Sequence, residues 1–481
     1  MTTIKWISIL LAMLETTALV LSAASSYSCS DRETDLIIGA NSIASFAADS
    51  AEDCCGGCES NAACYAWTFE PASNTCYLKD DVFFRVEKLG AISGQIRASP
   101  YGNGSIARAC ATTNTSSFPF CDTSLATQTR VNDLISRLTL AEKVAMLTAR
   151  QSPSGDVPHL GVPEYDWGTN CIHGVQSRCT QPLTKGDNST IRCPTSFPNP
   201  IGLGAAFNRS LWHMMASVIG IELRALWLQG VGENHADNLP HVGLNCWSPN
   251  INIARDPRWG RVLETTGEDP VLTGAFGEEY TLGLQQSDDP DLQRYLQAVV
   301  TLKHFAAYSV ENYEGVSRHD YDADVSPYDA ATTFFPAWRQ SIRYGQARGV
   351  MCSYNEVNGV PSCASSFLLQ DVLRGPAKGG GFGFDGYVTS DSGAIQDIYD
   401  NASHGYANFP EEGVALALNA SCDVDSSLAE GDEDTGSPYM WYAQGAVDRG
   451  LLVESDAVDN AMNRTLFLRF ELGLFDGVSI T

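Results

Sequence analysis

Basic residues and long apolar segments are scarce in this sequence. Its 481 residues include 30 Lys and Arg against 57 Asp and Glu, which gives a formal net charge of −27. Such an excess of acidic residues argues against polyanionic partners such as nucleic acid and favours neutral ligands. Beyond the amino terminus, no segment approaches the roughly 20 apolar residues that a membrane-spanning helix requires. The sequence therefore predicts no membrane span and no nucleic-acid partner.

The short motifs of several enzyme classes are also missing. There is no G-x-S-x-G elbow of a serine hydrolase, no H-E-x-x-H of a zinc protease and no P-loop. None of the eight histidines forms an i, i+4 pair with a nearby acid. We therefore expect no metal and no organic cofactor.

The amino terminus has the features of a signal peptide. In residues 1–24, Lys5 precedes an apolar stretch that ends in small residues, which is the usual order of charged, apolar and cleavage regions. Glu15 interrupts the apolar stretch, so a membrane-spanning helix fits this segment less well. The segment predicts export.

Cysteine content and glycan acceptors agree with export. The chain has 15 cysteines, which suits an oxidising compartment better than the cytosol, and their odd number leaves at least one thiol unpaired. Asn-x-Ser/Thr acceptors occur at Asn103, Asn114, Asn188, Asn208, Asn401, Asn419 and Asn463. We therefore expect a secreted, extracellular glycoprotein.

Residues 27–97 predict a small disulfide-rich α+β module. Six cysteines lie between Cys29 and Cys76, beside two strand-like stretches. The alternative is a metal site formed by Cys54, Cys55, Cys58 and Cys64. Disulfides are favoured because no histidine accompanies these cysteines and the compartment is oxidising. The cysteine spacing, the aromatic strand and the CYLK ending resemble PAN/apple modules, and this resemblance implies a glycan or protein ligand.

A linker and a larger domain follow. Residues 98–117 are rich in Gly, Ser, Thr and Asn, which is typical of a solvated linker. Residues 118–478 alternate apolar strand-like runs with helical patterns, as in repeated βα units. This length and alternation favour a (β/α)8 TIM-like barrel, whose chemistry lies in the loops after the strands. A doubly wound open sheet is the alternative, although no glycine-rich phosphate loop supports it.

Polar side chains end the apolar runs of the larger domain. Asp391 follows YVTS, Lys303 and His304 follow VVTL, and Tyr354 follows VMCS. Taken singly, each has a structural explanation as a helix cap or a packing residue. If the strands form a barrel, however, a carboxylate, a cation, an imidazole and a phenol would converge on one pocket.

Four longer stretches carry a resemblance to glycoside hydrolase family 3. They read INIARDPRWGRVLETTGEDP, LKHFAAYS, VMCSYNEVNGVPSC and FDGYVTSDSGAI, in the order that is typical of the family's N-terminal catalytic barrel. The wording is most similar to the β-xylosidase and arabinofuranosidase branch. The resemblance implies hydrolysis of terminal β-linked sugars from plant-type glycans, with a neutral oligosaccharide or polysaccharide as substrate.

The resemblance also implies roles for individual residues. Asp391 would be the nucleophile that forms a glycosyl-enzyme ester, which requires an ionised carboxylate below the anomeric carbon. Lys303, His304 and Arg261 would bind hydroxyls of the terminal sugar, and Tyr354 would line its subsite. We expect the flanking cations to keep the pKa of Asp391 low. Arg261 could instead buttress Glu264.

Three departures from the family pattern limit this transfer. Asn170 stands where the xylosidases have a glutamate that binds outer hydroxyls, and Ser392-Gly393 replaces Cys-Asp after the nucleophile. In most two-domain members, the acid/base glutamate comes from an α/β sandwich that follows the barrel, and we expect this chain to lack that domain and its glutamate. His319, Asp320 and Asp322 are candidates for an alternative proton donor on a loop.

Three functions remain open from the sequence. The first is a secreted retaining glycoside hydrolase of β-xylosidase type, and the second is a β-glucosidase of the same family. The third is a non-catalytic secreted carbohydrate-binding protein that lacks the acid/base domain. The chain could also be an incomplete enzyme for the same reason.

Overall fold

The structure is a computed structural model of the chain. It describes residues 32–39, 42–61, 64, 66–79, 84–95, 109–110, 116–150, 155–176, 193–228, 242–287, 293–428 and 436–476. The predicted signal peptide, nearly all of the predicted linker and the glycan acceptors Asn103, Asn114 and Asn188 lie outside these residues. Contacts divide the chain into two compact units, with the described residues up to 95 in the first and those from 109 onward in the second.

The first unit is one helix packed on an antiparallel sheet. Its elements are β1 (Arg32–Gly39), β2 (Ser42–Ala47), α1 (Ala51–Ser60), β3 (Ala66–Glu70), β4 (Thr75–Lys79) and β5 (Phe84–Gln95). The strands are ordered β1-β5-β3-β4-β2, and every neighbouring pair is antiparallel. The hydroxyl of Ser50 accepts a hydrogen bond from the backbone N–H of Asp53 and caps α1, which satisfies one of the open donors of its first turn.

Two disulfides between described residues fasten α1 to its surroundings. Cys54 and Cys58 lie four residues apart and therefore on one face of the helix. Cys54 is bonded to Cys76 of β4, and Cys58 is bonded to Cys64. These four cysteines are fully buried. The prediction of disulfides rather than a metal site is confirmed for this module.

The second unit alternates helices with mostly parallel strands. Its α-helices of four or more residues are α2 (Thr127–Ile135), α3 (Leu140–Met146), α4 (Pro200–Ala205), α5 (Arg209–Leu228), α6 (Pro270–Gln285), α7 (Pro336–Arg343), α8 (Ala394–Asp397), α9 (Pro410–Asn419), α10 (Pro438–Asp448) and α11 (Asp459–Glu471). Its strands are β6 (Thr148–Arg150), β7 (Asn245–Cys246), β8 (Val299–Phe305), β9 (Asn312–Tyr313), β10 (Val316–Ser317), β11 (Asp322–Ala323), β12 (Gly349–Cys352), β13 (Glu356–Val357), β14 (Val360–Pro361), β15 (Tyr387–Ser390) and β16 (Asp425–Leu428).

The central strands of the second unit are parallel. Four of them form a sheet in the order β15-β12-β8-β7, and β16 pairs with β6 in a second parallel ladder. Backbone hydrogen bonds continue this series at both ends, from Ser390 to Val424 and from Thr169 to Asn245. The backbone N–H of Trp167 also donates to Ala149 of β6. The α/β class is confirmed, while the eight-fold barrel remains a prediction.

Burial explains why these segments are strands. Every residue of β8, β12 and β15 is buried, as expected for parallel strands that are covered on both faces. Because the strands run in the same direction, the residues at their carboxyl ends meet at one edge of the sheet. That edge holds Asp391, Tyr354 and the end of β8.

Helix α5 is longer and more apolar than the sequence prediction of no membrane-spanning segment allows. By length and composition alone it could cross a membrane. Half of the stretch is buried, however, and its inward residues Trp212, Met215, Ile219 and Leu223 have at most 1% of their surface exposed. This partly buried, one-sided pattern is typical of a helix that packs against a core.

Asp425, at the start of β16, gives a prediction about pH and stability. It is fully buried and accepts hydrogen bonds from the hydroxyls of Ser437 (2.7 Å) and Ser427 (2.8 Å). Burial still raises the pKa of its carboxyl to about 6. A pKa that is higher in the folded state means that stability falls as pH rises from about 4 to about 6, by about 3 kcal/mol in all.

The variant Asp425→Asn should lack this dependence, because the amide does not ionise. We expect the stability of wild type, relative to the variant, to drop by about 3 kcal/mol between pH 3 and pH 7. Urea unfolding of both proteins across this range measures the difference. A difference that does not change with pH would contradict the pKa of Asp425.

Candidate active site

Asp391 lies directly after β15, and 9% of its surface is exposed. Its backbone N–H donates to the Cys352 carbonyl at 3.1 Å, and its Oδ1 accepts the Ser392 N–H at 2.8 Å. Oδ2 has no hydrogen-bond partner in the part of the chain that the structure describes. One carboxylate oxygen is therefore fixed, while the other is available to a ligand.

The imidazole of His304 lies close to this oxygen. Its Nε2 lies 3.5 Å from Asp391 Oδ2. Asn252 fixes the ring, because its Oδ1 accepts the backbone N–H of His304 at 2.9 Å and also lies 3.0 Å from Nδ1. Nδ1 must therefore carry the proton, which leaves Nε2 as an acceptor.

Electrostatics support the same protonation of His304. Burial, reinforced by the charges of Arg261, Lys303 and Arg318, lowers its pKa well below the ordinary value. A neutral Nε2 and the carboxylate of Asp391 are both acceptors and cannot hydrogen-bond each other. A ligand hydroxyl between them could donate to either.

Lys303 extends the site toward Asn170. Its ammonium donates to the Asn170 side-chain oxygen at 3.0 Å. Lys303 is buried, whereas Asn170 is exposed. Burial and the neighbouring Arg261 lower the pKa of Lys303, although Glu264 and Asp391 oppose this.

Arg261 is engaged by a carboxylate. Its guanidinium forms two hydrogen bonds with Glu264, of 2.8 Å from Nε and 2.7 Å from Nη2, and Asn250 donates to the same carboxylate at 3.3 Å. Burial lowers the pKa of Arg261, but Glu264 outweighs it and the pKa is raised. The geometry thus agrees with the buttressing role, while the charge of Arg261 still acts on Asp391.

Tyr354 lies two residues after β12 and is buried. Burial, followed by the charge of Asp391, raises its pKa far above the ordinary value, so the hydroxyl keeps its proton. The guanidinium of Arg318 stacks on the Tyr354 ring at 4.3 Å. Tyr308 completes an aromatic wall, with ring centroids 5.0 Å from His304 and 6.2 Å from Tyr354.

His319, in the loop after β8, pairs with the carboxylate of Asp397, which follows β15. His319 Nδ1 lies 2.8 Å from Asp397 Oδ2, and the His319 ring is 4.7 Å from that of Tyr354. Asp397 is buried and also accepts the Ser403 hydroxyl at 2.9 Å. Because Asp397 is an acceptor, the His319 proton is on Nδ1, and Nε2 receives a long contact of 3.3 Å from Arg318 Nε.

The two acids next to His319 have other tasks. The exposed Asp320 accepts the backbone N–H of Ser317, and the exposed Asp322 accepts that of Gly359. Both therefore stabilise turns. Of the three candidates for proton transfer in this loop, only His319 is held beside Tyr354, by the carboxylate of Asp397.

The pKa of Asp391 departs from expectation. Burial raises it above the ordinary value, against the opposing effects of Arg261, Lys303, the Ser392 amide and the Tyr354 hydroxyl. The expectation that the cations keep this pKa low is therefore wrong in its net result. The charges act as expected, but desolvation of the carboxylate outweighs them.

A cysteine cluster lies behind the site. Cys352 and Cys363 form a disulfide across the loop that carries Tyr354. The sulfur of the free, buried Cys422 lies 3.6 Å from that of Cys352. The three have metal-ligand spacing, but two of these sulfurs are already bonded to each other and are not thiolate ligands.

Sequence reasoning missed several residues of this site. Asn252, Tyr308, Arg318 and Asp397 act on the predicted residues through contacts between distant loops. Asn252 stands in the PNINIARDPRWGR stretch, so its position was a usable signal. Asp397 is 78 residues from His319, and no local pattern links the two.

Known families match both parts of the chain. Residues 29–95 match the PAN domain, and residues 180–468 match the glycosyl hydrolase family 3 N-terminal domain. The chain is 39% identical over 382 residues to β-xylosidase/α-L-arabinofuranosidase 1 of Medicago sativa subsp. varia, which covers 78% of this chain and 45% of that protein. It is also 39% identical to a probable exo-1,4-β-xylosidase of Aspergillus terreus, over 74% of this chain and 42% of that protein.

Solved structures give the same relationship. A GH3 exo-β-xylosidase in complex with a xylobiose aziridine activity-based probe matches 78% of this chain and 44% of its own, with 33% identity and a TM-score of 0.66. A β-glucosidase from Listeria innocua in complex with glucose matches with 26% identity and a TM-score of 0.55, over 72% and 47%. The chain spans less than half the length of these relatives. It belongs to glycosyl hydrolase family 3.

Proposed function

We propose that this protein is a retaining glycoside hydrolase that removes terminal β-linked xylose from oligosaccharides or polysaccharides. The observation that carries the proposal is the carboxylate of Asp391, buried at a strand end with Oδ2 unpaired and facing the neutral Nε2 of His304. A retaining mechanism needs one such oxygen to attack the anomeric carbon and form a covalent ester. The named relatives of plants and fungi support xylose as the sugar.

The neighbouring residues would bind the terminal sugar. His304 Nε2 accepts from a sugar hydroxyl, and Lys303 donates to another while it holds Asn170. Arg261, fixed by Glu264, supplies positive charge near the ester. Tyr354 donates its hydroxyl toward Asp391 and lines the subsite. No step of this scheme requires a metal or an organic cofactor.

We propose His319, held by Asp397, as the proton-transfer residue of this chain. Tyr354 neighbours both residues, because its ring lies 4.7 Å from that of His319 and its hydroxyl acts on the Asp391 carboxyl. The contact of Nε2 with Arg318 is long, at 3.3 Å, and a glycosidic oxygen can replace it. In the acid step His319 acts as an imidazolium that gives its Nε2 proton to the departing glycosidic oxygen, and Nε2 regains a proton from the water that hydrolyses the ester. A histidine oriented by a buried carboxylate is a common arrangement for acid–base work.

We also propose the larger organisation of the chain. Residues 1–24 would be a signal peptide, 27–97 a PAN-like module that tethers the enzyme to a glycan or protein, 98–117 a linker, and 118–478 a (β/α)8 catalytic barrel. The hydrogen-bonded series of strands, in which Trp167 reaches back to β6, supports a closed barrel. The disulfides of the first module support passage through an oxidising, secretory compartment.

Covalent trapping tests the nucleophile and the enzyme class together. The probe is 2,4-dinitrophenyl 2-deoxy-2-fluoro-β-D-xyloside, whose leaving group needs no protonation and whose fluorine slows hydrolysis of the ester. We expect stoichiometric release of dinitrophenol and a fluoroxylosyl label on the peptide that contains Asp391. The corresponding glucoside serves as the comparison and should label the protein more slowly. Binding of xylobiose without any label would instead identify a non-catalytic carbohydrate-binding protein.

A further inference from the structure

A second buried histidine, His404, lies behind the site and belongs to none of the roles above. Only 1% of its side chain is exposed. It is in the segment that continues from Asp391 through α8, and it makes contacts with two other parts of the site. In one contact the imidazole donates a hydrogen bond, and in the other the backbone N–H of His404 donates.

The imidazole of His404 holds the backbone of Tyr354. Nε2 lies 2.8 Å from the Tyr354 carbonyl oxygen, so Nε2 carries the proton and donates. Nδ1 has no hydrogen-bond partner within the described ranges. It faces the Glu356 carboxylate at 3.8 Å.

The backbone of the same residue holds the other loop. The N–H of His404 donates to the Asp397 carbonyl at 3.2 Å. One residue therefore connects Tyr354, which follows β12, with Asp397, which follows β15. The charge of Asp391 acts on the Tyr354 hydroxyl, and Asp397 orients His319.

We propose that His404 is a positioning residue that sets the Tyr354 hydroxyl against the Asp391 carboxylate. This inference rests on the proposed function, since it matters for catalysis only if Asp391 is the nucleophile. The physical reason is that reacting groups must be held within a fraction of an ångström of their productive geometry, and a buried N–H···O=C bond supplies that restraint. Without the imidazole, the Tyr354 carbonyl would be buried with no donor.

The test is a double-mutant cycle between His404 and the Tyr354 hydroxyl. His404→Ala and His404→Gln are each made in wild type and in Tyr354→Phe, and 4-nitrophenyl β-D-xyloside is the substrate. We expect His404→Ala to lower kcat by about 10- to 100-fold with little change in KM. His404→Gln should recover most of the loss, because its amide can donate to the same carbonyl. In the Tyr354→Phe background, His404→Ala should cost no more than about 3-fold.

A destabilised control separates positioning from general damage. Val414→Ala removes buried volume from α9 and should lower the unfolding midpoint while leaving kcat unchanged. Equal losses from His404→Ala in both backgrounds, or the absence of rescue by glutamine, would overturn the inference although the hydrolase proposal stands. A wild type that neither turns over nor becomes labelled would overturn the hydrolase proposal itself.

Crystal structures of wild type and His404→Ala test the positioning without relying on turnover. We expect the Tyr354 hydroxyl to move away from the Asp391 carboxylate in the variant. An unmoved Tyr354 would show that His404 does not position it.

Discussion

Asp391→Asn is expected to reduce kcat on aryl β-xylosides by about 10⁴-fold or more, because the variant has no oxygen nucleophile for the covalent step. The asparagine keeps the shape of the side chain, and its carbonyl oxygen can still accept the Ser392 N–H. The backbone bond to Cys352 is unaffected. The loss should therefore be chemical and not structural.

Stability measurements sharpen this prediction. Burial raises the pKa of Asp391, so the ionised carboxylate destabilises the folded state at neutral pH and the amide does not. We expect Asp391→Asn to unfold at a temperature equal to or above that of wild type. A matched control is Asp385→Asn, an exposed aspartate just before the amino end of the same strand β15. It should keep nearly full activity.

The pH dependence of wild type follows from the same pKa. As the pH falls, Asp391 takes up a proton and loses its nucleophilic form at a higher pH than an ordinary aspartate would. The acid limb of kcat/KM should therefore lie above the normal carboxyl range. Activity near wild type in Asp391→Asn would remove the nucleophile assignment.

His319→Ala should slow natural substrates far more than activated ones. Xylobiose has a poor leaving group that must be protonated as it departs, so its kcat should fall by about 10²- to 10⁴-fold. The dinitrophenolate of dinitrophenyl xyloside departs without a proton. The rate constant of glycosylation with this substrate should therefore change by less than about 10-fold. Rates across a series of aryl xylosides with leaving groups of rising pKa measure this difference.

Two variants accompany the His319 experiment. Asp397→Asn removes the carboxylate that holds Nδ1 and should give a smaller loss with the same dependence on the leaving group. Asp320→Asn changes the adjacent exposed acid and should have little effect. If His319→Ala slows the reactions of all the aryl xylosides equally, whatever the pKa of the leaving group, His319 does not protonate the leaving group.

The sequence predicts the strands of the site better than its helices. Uninterrupted apolar runs such as Val299–Leu302 correspond to buried strands, although β8 continues to Phe305 and so includes Lys303 and His304. Residues 125–149 have apolar residues at one helical spacing throughout, yet they form two helices, because Thr139 and Glu142 form a capping box that starts α3 anew. Periodicity alone does not reveal such a restart.

The site residues divide in the same way. The sequence predicts four of them, because the apolar pattern shows where strands end and parallel strands bring their ends together. These four are Asp391, Lys303, His304 and Tyr354. The sequence does not predict the partner Asp397, because tertiary packing alone brings it to His319, 78 residues away along the chain. The raised pKa of Asp391 also cannot be predicted from the sequence, since a sequence shows which residues are charged but not how far each is desolvated.

The disulfide between Cys352 and Cys363 has a practical consequence for anyone who produces this protein. It links two cysteines 11 positions apart and closes the stretch between them, which presents Tyr354 and Glu356. Expression in a bacterial cytoplasm would leave this stretch open and Cys422 beside two more thiols. A yeast or periplasmic host, where the bond can form during folding, is therefore the suitable source of material for kinetics.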